Sequence, residues 1–325
     1  MISRVADHCF WLGRYVERAE STARALQATR NLALDAGLAP SQCWRPAVVV
    51  SGEEREFVRR FGDVFDDGET VQSYLAWDPD NLSSIRRSLE AARENARSIR
   101  EVVSRETWEE VNALYHWIAS DEATALWRED RDAVYRHIRH ACHIALAYAQ
   151  SSMLHEDAYH FIVLGVMLER AGQTARLLDV HHHAFTRSAV HEVLETAVSL
   201  ALLRACSGIE AFMKRTRGPV NSLAVASFLV LDPGFPQSVR FSIASAYRRL
   251  QLLRPAGEPG RPGGAALEKL AALEAWVVRL TPAAVQSHSI HATLTHVVDE
   301  MAVICDALGR ELFGGAPAVQ MQESQ

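Results

Sequence analysis

Nothing in this sequence pairs its cysteines. There are five, Cys9, Cys43, Cys142, Cys206 and Cys305. They are odd in number, scattered and without C-x-x-C spacing, which predicts free thiols in a reducing compartment. No run of roughly 18 apolar residues exists, so no membrane-spanning segment is expected. The opening MISRVADHCFWLGRYVERAE mixes charges throughout and does not resemble a signal peptide, which makes the cytoplasm the expected location. There is no Lys/Arg-rich block and the net charge is −6. Nucleic acid is therefore not an expected partner, because phosphate binding needs a positive footprint.

Catalytic signatures are also missing. There is no Gly-rich phosphate loop and no G-x-S-x-G. No Cys-His or Ser-His spacing suggests a nucleophile pair. Histidines cluster at His137, His140 and His143, at His288, His291 and His296 with Asp299, and at His181-His182-His183. None of these is H-E-x-x-H or the E-x-x-H of a di-iron bundle, so no metal is expected. No stretch alternates long enough for a strand, which leaves an all-α class. The 48% of hydrophobic residues suffices for a core.

What is present is an internal repeat. LGRYVERAESTARALQ (Leu12 to Gln27) returns as LGVMLERAGQTARLLD (Leu164 to Asp179), 152 residues later. SYLAWDPDNLSSIRRSLEAA (from Ser73) returns as SFLVLDPGFPQSVRFSIASA (from Ser227), 154 residues later. Ser51-Gly52-x-Glu54 likewise matches Ser207-Gly208-x-Glu210. Two blocks in the same order at nearly one offset argue for tandem duplication. The expected architecture is two tandem helical repeats packed into one bundle-like body, with repeats at 1–152 and 153–313 and a disordered tail at 314–325.

Ser3 to about Ala36 reads as one long helix. Leu12, Tyr15, Val16, Ala19, Ala23 and Leu26 fall within about 60° on its wheel. Gly37 stops it, with Pro40 beyond. A helix around Trp44 to Arg60 is opposed by Pro46 and by Val48-Val49-Val50, and 61–70 reads as a loop. Leu82 to about Val103 reads as one helix, capped by Asn81 or Ser83. Trp108–Ser120 and Glu122–Ser152 follow, with Asp121 as the expected cap of the second. In the second half the long helix is His155 to about Phe185, followed by Ser188–Arg215. The remaining helices are one from Pro236 to near Arg254, then Leu267–Leu280 and Ala283–Phe313.

The polar residues shared by the two ERA blocks are Glu17, Arg18, Thr22 and Arg24, matched by Glu169, Arg170, Thr174 and Arg176. Glu17 and Arg24 lie about 20° apart on the wheel, with Gly13 and Glu20 on the same flank. A structural role would pair Glu17 with Arg176 and Glu169 with Arg24 across a pseudo-two-fold axis. A functional role would make Glu17 and Glu20 acid/base groups, although Arg24 beside them lowers a carboxylate pKa. Arg24 is also a candidate for substrate binding. A second candidate set, Arg93, Arg97 and Arg100, shares a face with Arg86 and suits carboxylate or phosphate, unless it is a solvated face of i,i+4 pairs.

The opening MISRVADHCFWLGRYVERAESTARAL resembles the alpha-E domain family. So do SIRRSLEAARENARSIREVVSRETWEEVN, LGVMLERAGQTARLL and FLVLDPGFPQSVRF. The resemblance covers Met1 to Phe313 and implies an all-helical bacterial protein. It also implies a gene neighbourhood holding a circularly permuted ATP-grasp protein and often a transglutaminase-like protease. The expectation that follows is an accessory role in ATP-dependent amide or peptide bond formation. The chain would dock the ligase or hold a peptide, amino-acid or acidic substrate, and the ligase would use ATP and Mg. An enzyme in its own right, using Glu17 and Glu20, is the alternative. The second ERA block departs from similar proteins at Val166, where an Arg is usual, and at Gly172, where an acid is usual. On that reading the first copy keeps the function and the second becomes scaffold.

Overall fold

Two long helices cross at the centre, α1 (Ser3–Asp35) and α9 (Asp157–Thr186). They belong to a computed structural model that describes residues 3–35, 37–186, 192–254, 262–286 and 289–314. The apolar stripe of α1 is buried as its periodicity predicts. The polar residues between are buried too, so that Cys9 through Ser21 form a continuous buried stretch. A helix enclosed on all sides occupies the middle of a bundle. Gly13 and Gly165 allow the crossing. A methyl added at Gly13 would overlap the Ile162 carbonyl oxygen, and one added at Gly165 would overlap the Phe10 carbonyl oxygen. Only a residue without Cβ lets two backbones approach this closely.

Shorter helices surround this pair. In the first half they are α2 (Pro40–Ser51), α3 (Glu54–Phe61), α4 (Gly68–Ala76), α5 (Ile85–Ser98), α6 (Arg105–Ile118), α7 (Asp121–Glu129) and α8 (Arg131–Ser152). The second half has α10 (Glu192–Ala205), α11 (Ile209–Arg215), α12 (Ser222–Leu231), α13 (Val239–Leu253), α14 (Gly264–Val278), a 3-10 turn at Pro282–Val285 and α15 (Ile290–Leu312). The described residues contain no strand. α1 packs against α9, α5, α8 and α10, while α9 packs against α1, α13, α15 and α2. Each long helix thus touches the second helix of the other half, and one hydrophobic core runs through both halves.

Several expected boundaries move, each for a local reason. The Trp44–Arg60 segment is two helices, because Gly52 takes a left-handed φ of 82° and ends α2. α5 stops at Ser98 instead of Val103. Ile99 leaves helical geometry at φ −129° and is fully buried. Its cap is Ser84, whose side chain accepts from the Arg87 N–H. The expected helix Glu122–Ser152 is broken by Asp130, which caps α8 through the Ala133 N–H, and the cap of α7 is Ser120. Residues 61–70 are a loop only as far as Asp67, which caps α4. Ser188–Arg215 resolves into α10 and α11, with residues 188–191 outside the described residues. The expected tail, residues 314–325, lies outside them beyond Gly314. All five cysteines are free and four are buried. Among the described residues no single helix is long and apolar enough to cross a membrane. α10 and α11 reach that composition only together, bent by 113°.

Candidate functional site

The charged residues of α1 and α9 meet just beyond the glycine crossing, in two separate nodes. In the first, Glu169 reaches from α9 into α1. Its carboxylate accepts from Arg14 Nε at 2.7 Å, from Arg18 Nε at 2.9 Å and Arg18 Nη2 at 3.3 Å, and from Gln173 Nε2 at 3.0 Å. The Glu169 side chain has no exposed surface. Burial alone would raise its carboxyl pKa. The Arg18 and Arg14 guanidiniums outweigh burial and hold it well below the usual carboxylate range. Arg14 also lies 5.2 Å from the Trp11 ring centre, and Arg18 5.4 Å from that of Tyr15.

In the second node Glu17 reaches from α1 into α9. Arg170 holds it in a fork, Nε to Oε1 at 2.7 Å and Nη2 to Oε2 at 2.8 Å. Burial opposes the charge on Arg170, and Glu17 more than compensates, so its pKa is raised. The two nodes share one logic. The glutamate of each Glu-Arg-Ala triplet binds the arginine of the other triplet. This corrects the partners expected from the helical wheel, which were Arg176 for Glu17 and Arg24 for Glu169. Ion pairs across the crossing do exist, but the arginine next to the glutamate in sequence forms them.

The other candidates lie elsewhere. Glu20 is buried and contacts Arg24 at 2.9 Å, Arg139 at 3.4 Å and His143 at 3.5 Å. Arg24 also donates to the Ala205 carbonyl at the end of α10 and to Gln237 Oε1 at 3.2 Å. Its nitrogens thus tie α1 to α10 and to the turn before α13. Arg93 donates to Asn112 at 2.8 Å, pairs with Glu94 at 2.7 Å and lies 4.7 Å from the Tyr115 ring centre. Arg97 pairs with Glu94 within its own helix, with 58% of its side chain exposed. Arg100 falls beyond the end of α5, stacked on Trp108. Arg93 and Arg97 share Glu94, and Arg93 and Arg100 both lie over the Trp108 ring, although the helix that was to align all three ends at Ser98.

Arg176 is the exception. Among the described residues no carboxylate lies within ion-pair distance of it and no acceptor within hydrogen-bond distance, which removes the expected ion pair. Burial lowers its pKa, partly opposed by the nearby Glu169 charge. The position that would supply a carboxylate one turn earlier is Gly172, whose absent Cβ would sit 3.6 Å from the Arg176 guanidinium. On α1 the residues 152 positions earlier are Glu20 and Arg24, a direct i,i+4 pair. Arg176 instead lines a cavity of about 80 Å³ together with Arg14, Arg18 and Gln173. Among the described residues no group of three His, Cys, Asp or Glu could hold a metal ion. His143 approaches Glu20, His291 pairs with Asp179 at 2.8 Å, and His288 lies outside the described residues.

Comparison with known proteins bears on these triplets. The model of a family described as a predicted alpha-helical domain with a conserved ER motif matches residues 1–313. The chain belongs to the Alpha-E family. Two curated relatives are uncharacterized proteins of Mycobacterium bovis and Mycobacterium tuberculosis. Each is 26% identical over 280 residues, which is 80% of this chain and 31% of theirs. The chain thus spans about a third of the length of the curated relatives it matches. No solved structure matches it.

Sequence reasoning missed Arg14, Arg139 and Gln173 as members of the nodes. Arg14 carried a signal, since the position 152 residues later is Val166, one of the two departures already noted. Arg139 and Gln173 carried none, because their roles depend on the packing of α8 against α1 and on the α1–α9 crossing.

Proposed function

We propose that this Alpha-E chain is a helical binding partner of an ATP-grasp amide ligase. It holds a substrate or docks the ligase, and performs no acid/base chemistry with Glu17 or Glu20. The supporting observation is the state of the carboxylates. Glu17 and Glu169 are each gripped by guanidiniums from the opposite helix, and Glu20 lies against Arg24 and Arg139. A general acid or base needs hydrogen-bond reach to the substrate. Carboxylate oxygens already engaged by guanidiniums inside the protein are not free to make that reach. The family resemblance supplies the ligase in this reading, and the geometry supplies the holding role.

We also infer that the two halves arose by duplication, and that the family's ER motif corresponds to Glu17-Arg18 and Glu169-Arg170. Three reciprocities support this beyond the sequence blocks. Gly13 and Gly165 meet each other's helices at matching places. Each triplet glutamate takes the other triplet's arginine. Ser84 caps α5 and donates to the Asp78 carbonyl, while Ser238 caps α13 and donates to the Asp232 carbonyl.

The test is reconstitution. The chain and the ATP-grasp protein encoded beside it are purified separately and together, and product is followed with ATP and Mg. Product that forms with both proteins and not with either alone supports the partner reading. Product formed by the chain alone, and lost in Glu20→Gln, would overturn it in favour of the enzyme reading.

A further inference from the structure

Where α1, α2 and α9 meet, a partly enclosed cavity has one strongly cationic wall. Arg14, Arg18 and Arg176 line it, and no acidic residue does so among the described residues. Glu169 pairs with both Arg14 and Arg18 from behind the wall, one carboxylate against two guanidiniums, so the lining keeps a net positive charge. Arg176 has no carboxylate within ion-pair distance and no hydrogen-bond acceptor among the described residues. A guanidinium withdrawn from bulk water without a counter-charge is costly, and it is retained where a charge from outside completes it. The rest of the lining is different in kind. Val50, Leu75 and Leu177 supply apolar surface, and Ser51 and Ser83 add hydroxyls. One water needs about 10–15 Å³ of such space, so 80 Å³ has room for a small charged group and a few attached atoms.

We propose that this cavity is a binding site for the carboxylate of a small substrate, with Arg176 as its principal anchor. The guanidinium fork matches a carboxylate in two parallel hydrogen bonds, and the apolar wall accepts a short side chain. An apolar lining with a few fixed polar groups is the common form of small-molecule sites. The origin of the site is visible on the helix. Gly172 stands where α1 carries Glu20, so Arg176 lacks the carboxylate one turn earlier that Arg24 possesses. The proposal deepens the substrate-holding reading. It can fail separately, because its test uses the isolated chain without a ligase.

The experiment is titration of the full chain with N-acetylglycine, with N-acetylglycinamide as the neutral isostere and with inorganic phosphate, at constant ionic strength. Binding is read by calorimetry and by the shift of the unfolding temperature. The expected result is saturable binding of N-acetylglycine, with none of the amide. Arg176→Met should weaken it roughly tenfold to a hundredfold, the loss of one charge-assisted contact. Gly172→Glu should abolish it by supplying the carboxylate internally, and Arg97→Ala should leave it unchanged. A lack of saturable carboxylate binding overturns the proposal, as does equal binding of the amide. Binding of phosphate with none of the carboxylate overturns the assignment to carboxylates. Undiminished binding in a folded Arg176→Met chain removes the cavity as the site.

Discussion

The two Glu-Arg clasps follow one plan and differ in their surroundings. Around Glu169 there are two clasping guanidiniums and a third, Arg176, facing a cavity. Around Glu17 there is one clasping guanidinium, and the neighbouring charge is the closed group of Glu20, Arg24 and Arg139. Val166 lies 152 residues after Arg14, and Gly172 lies 152 residues after Glu20, so the α9 side has neither the arginine nor the acid that α1 has at these places. One node is therefore filled from within, and the other retains positive charge with space beside it. The proposed carboxylate site belongs to the node that lacks an acid one turn before its arginine.

The crossing itself is common to both nodes and sets the scale. Gly13→Ala and Gly165→Ala each drive a methyl into a carbonyl oxygen of the opposite helix, so each should cost more than about 3 kcal/mol in urea unfolding. Equal losses would show that the crossing is balanced, and tolerance of either would show that it is not tight.

The clasps should then separate. Glu169→Gln leaves Arg14, Arg18 and Arg176 around a neutral amide and should cost about 3 kcal/mol, the low end for breaking a buried pair. Glu17→Gln strands only Arg170, whose side chain is 13% exposed, and should cost about 1–2 kcal/mol. Equal costs in denaturant melts would erase the proposed asymmetry.

Acid should act on the Glu169 side in two stages. Burial depresses His181 to about 4 in the folded chain. A depressed folded value means that its contribution is complete above the unfolded value of about 6.5 and is lost as pH falls through the folded one, on the order of 2–3 kcal/mol. Glu169 is depressed as well, so its contribution holds above about pH 4.3 and is lost only below it. Unfolding free energies from pH 7 to 3 should show His181→Leu flattening the upper window and Glu169→Gln the lower one. A His181→Leu curve parallel to wild type above pH 4 would refute the first stage.

Gly172→Glu should make the nodes alike. It replaces a helical glycine and places a carboxylate one turn before Arg176, for a gain of about 1 kcal/mol. A lower melting temperature would show that the cavity does not accept the side chain. Arg97→Ala is the smallest effect, about 0–1 kcal/mol, because an exposed i,i+3 pair is solvated in either state.

Much of this was legible in the sequence. The stripe from Leu12 to Leu26 located α1 and its buried face, and Gly13 lay on the flank of that stripe. The pairing was not legible. A helical wheel places Arg24 beside Glu17 on one helix, whereas the partner is set by the crossing, which brings Arg170 to Glu17 instead. The helix carrying Arg93 and Arg97 ends before Arg100 because Ile99, fully buried, leaves helical geometry, a break that periodicity did not show. The departures at Val166 and Gly172 were readable as departures. That Gly172 faces an unpaired guanidinium depends on α2 closing the far wall, which no periodicity reports.

The swapped packing, α1 on α10 and α9 on α2, has a consequence for synthesis. Chains are made from the N-terminus, and residues 1–152 emerge from the ribosome before α9 or α10 does. Until then the groove at Gly13 is empty, Glu17 lacks its arginine, and the face of α1 that will meet α10 is wet. The first half cannot reach its final state on the ribosome as an independent unit. Its central contacts span about 150 residues of chain, a separation that slows folding because the loop must close before the contacts stabilise it. A nascent first half instead exposes a glycine-notched helix that fits another copy of its own kind, so mispairing between chains on one message is the characteristic hazard of this architecture.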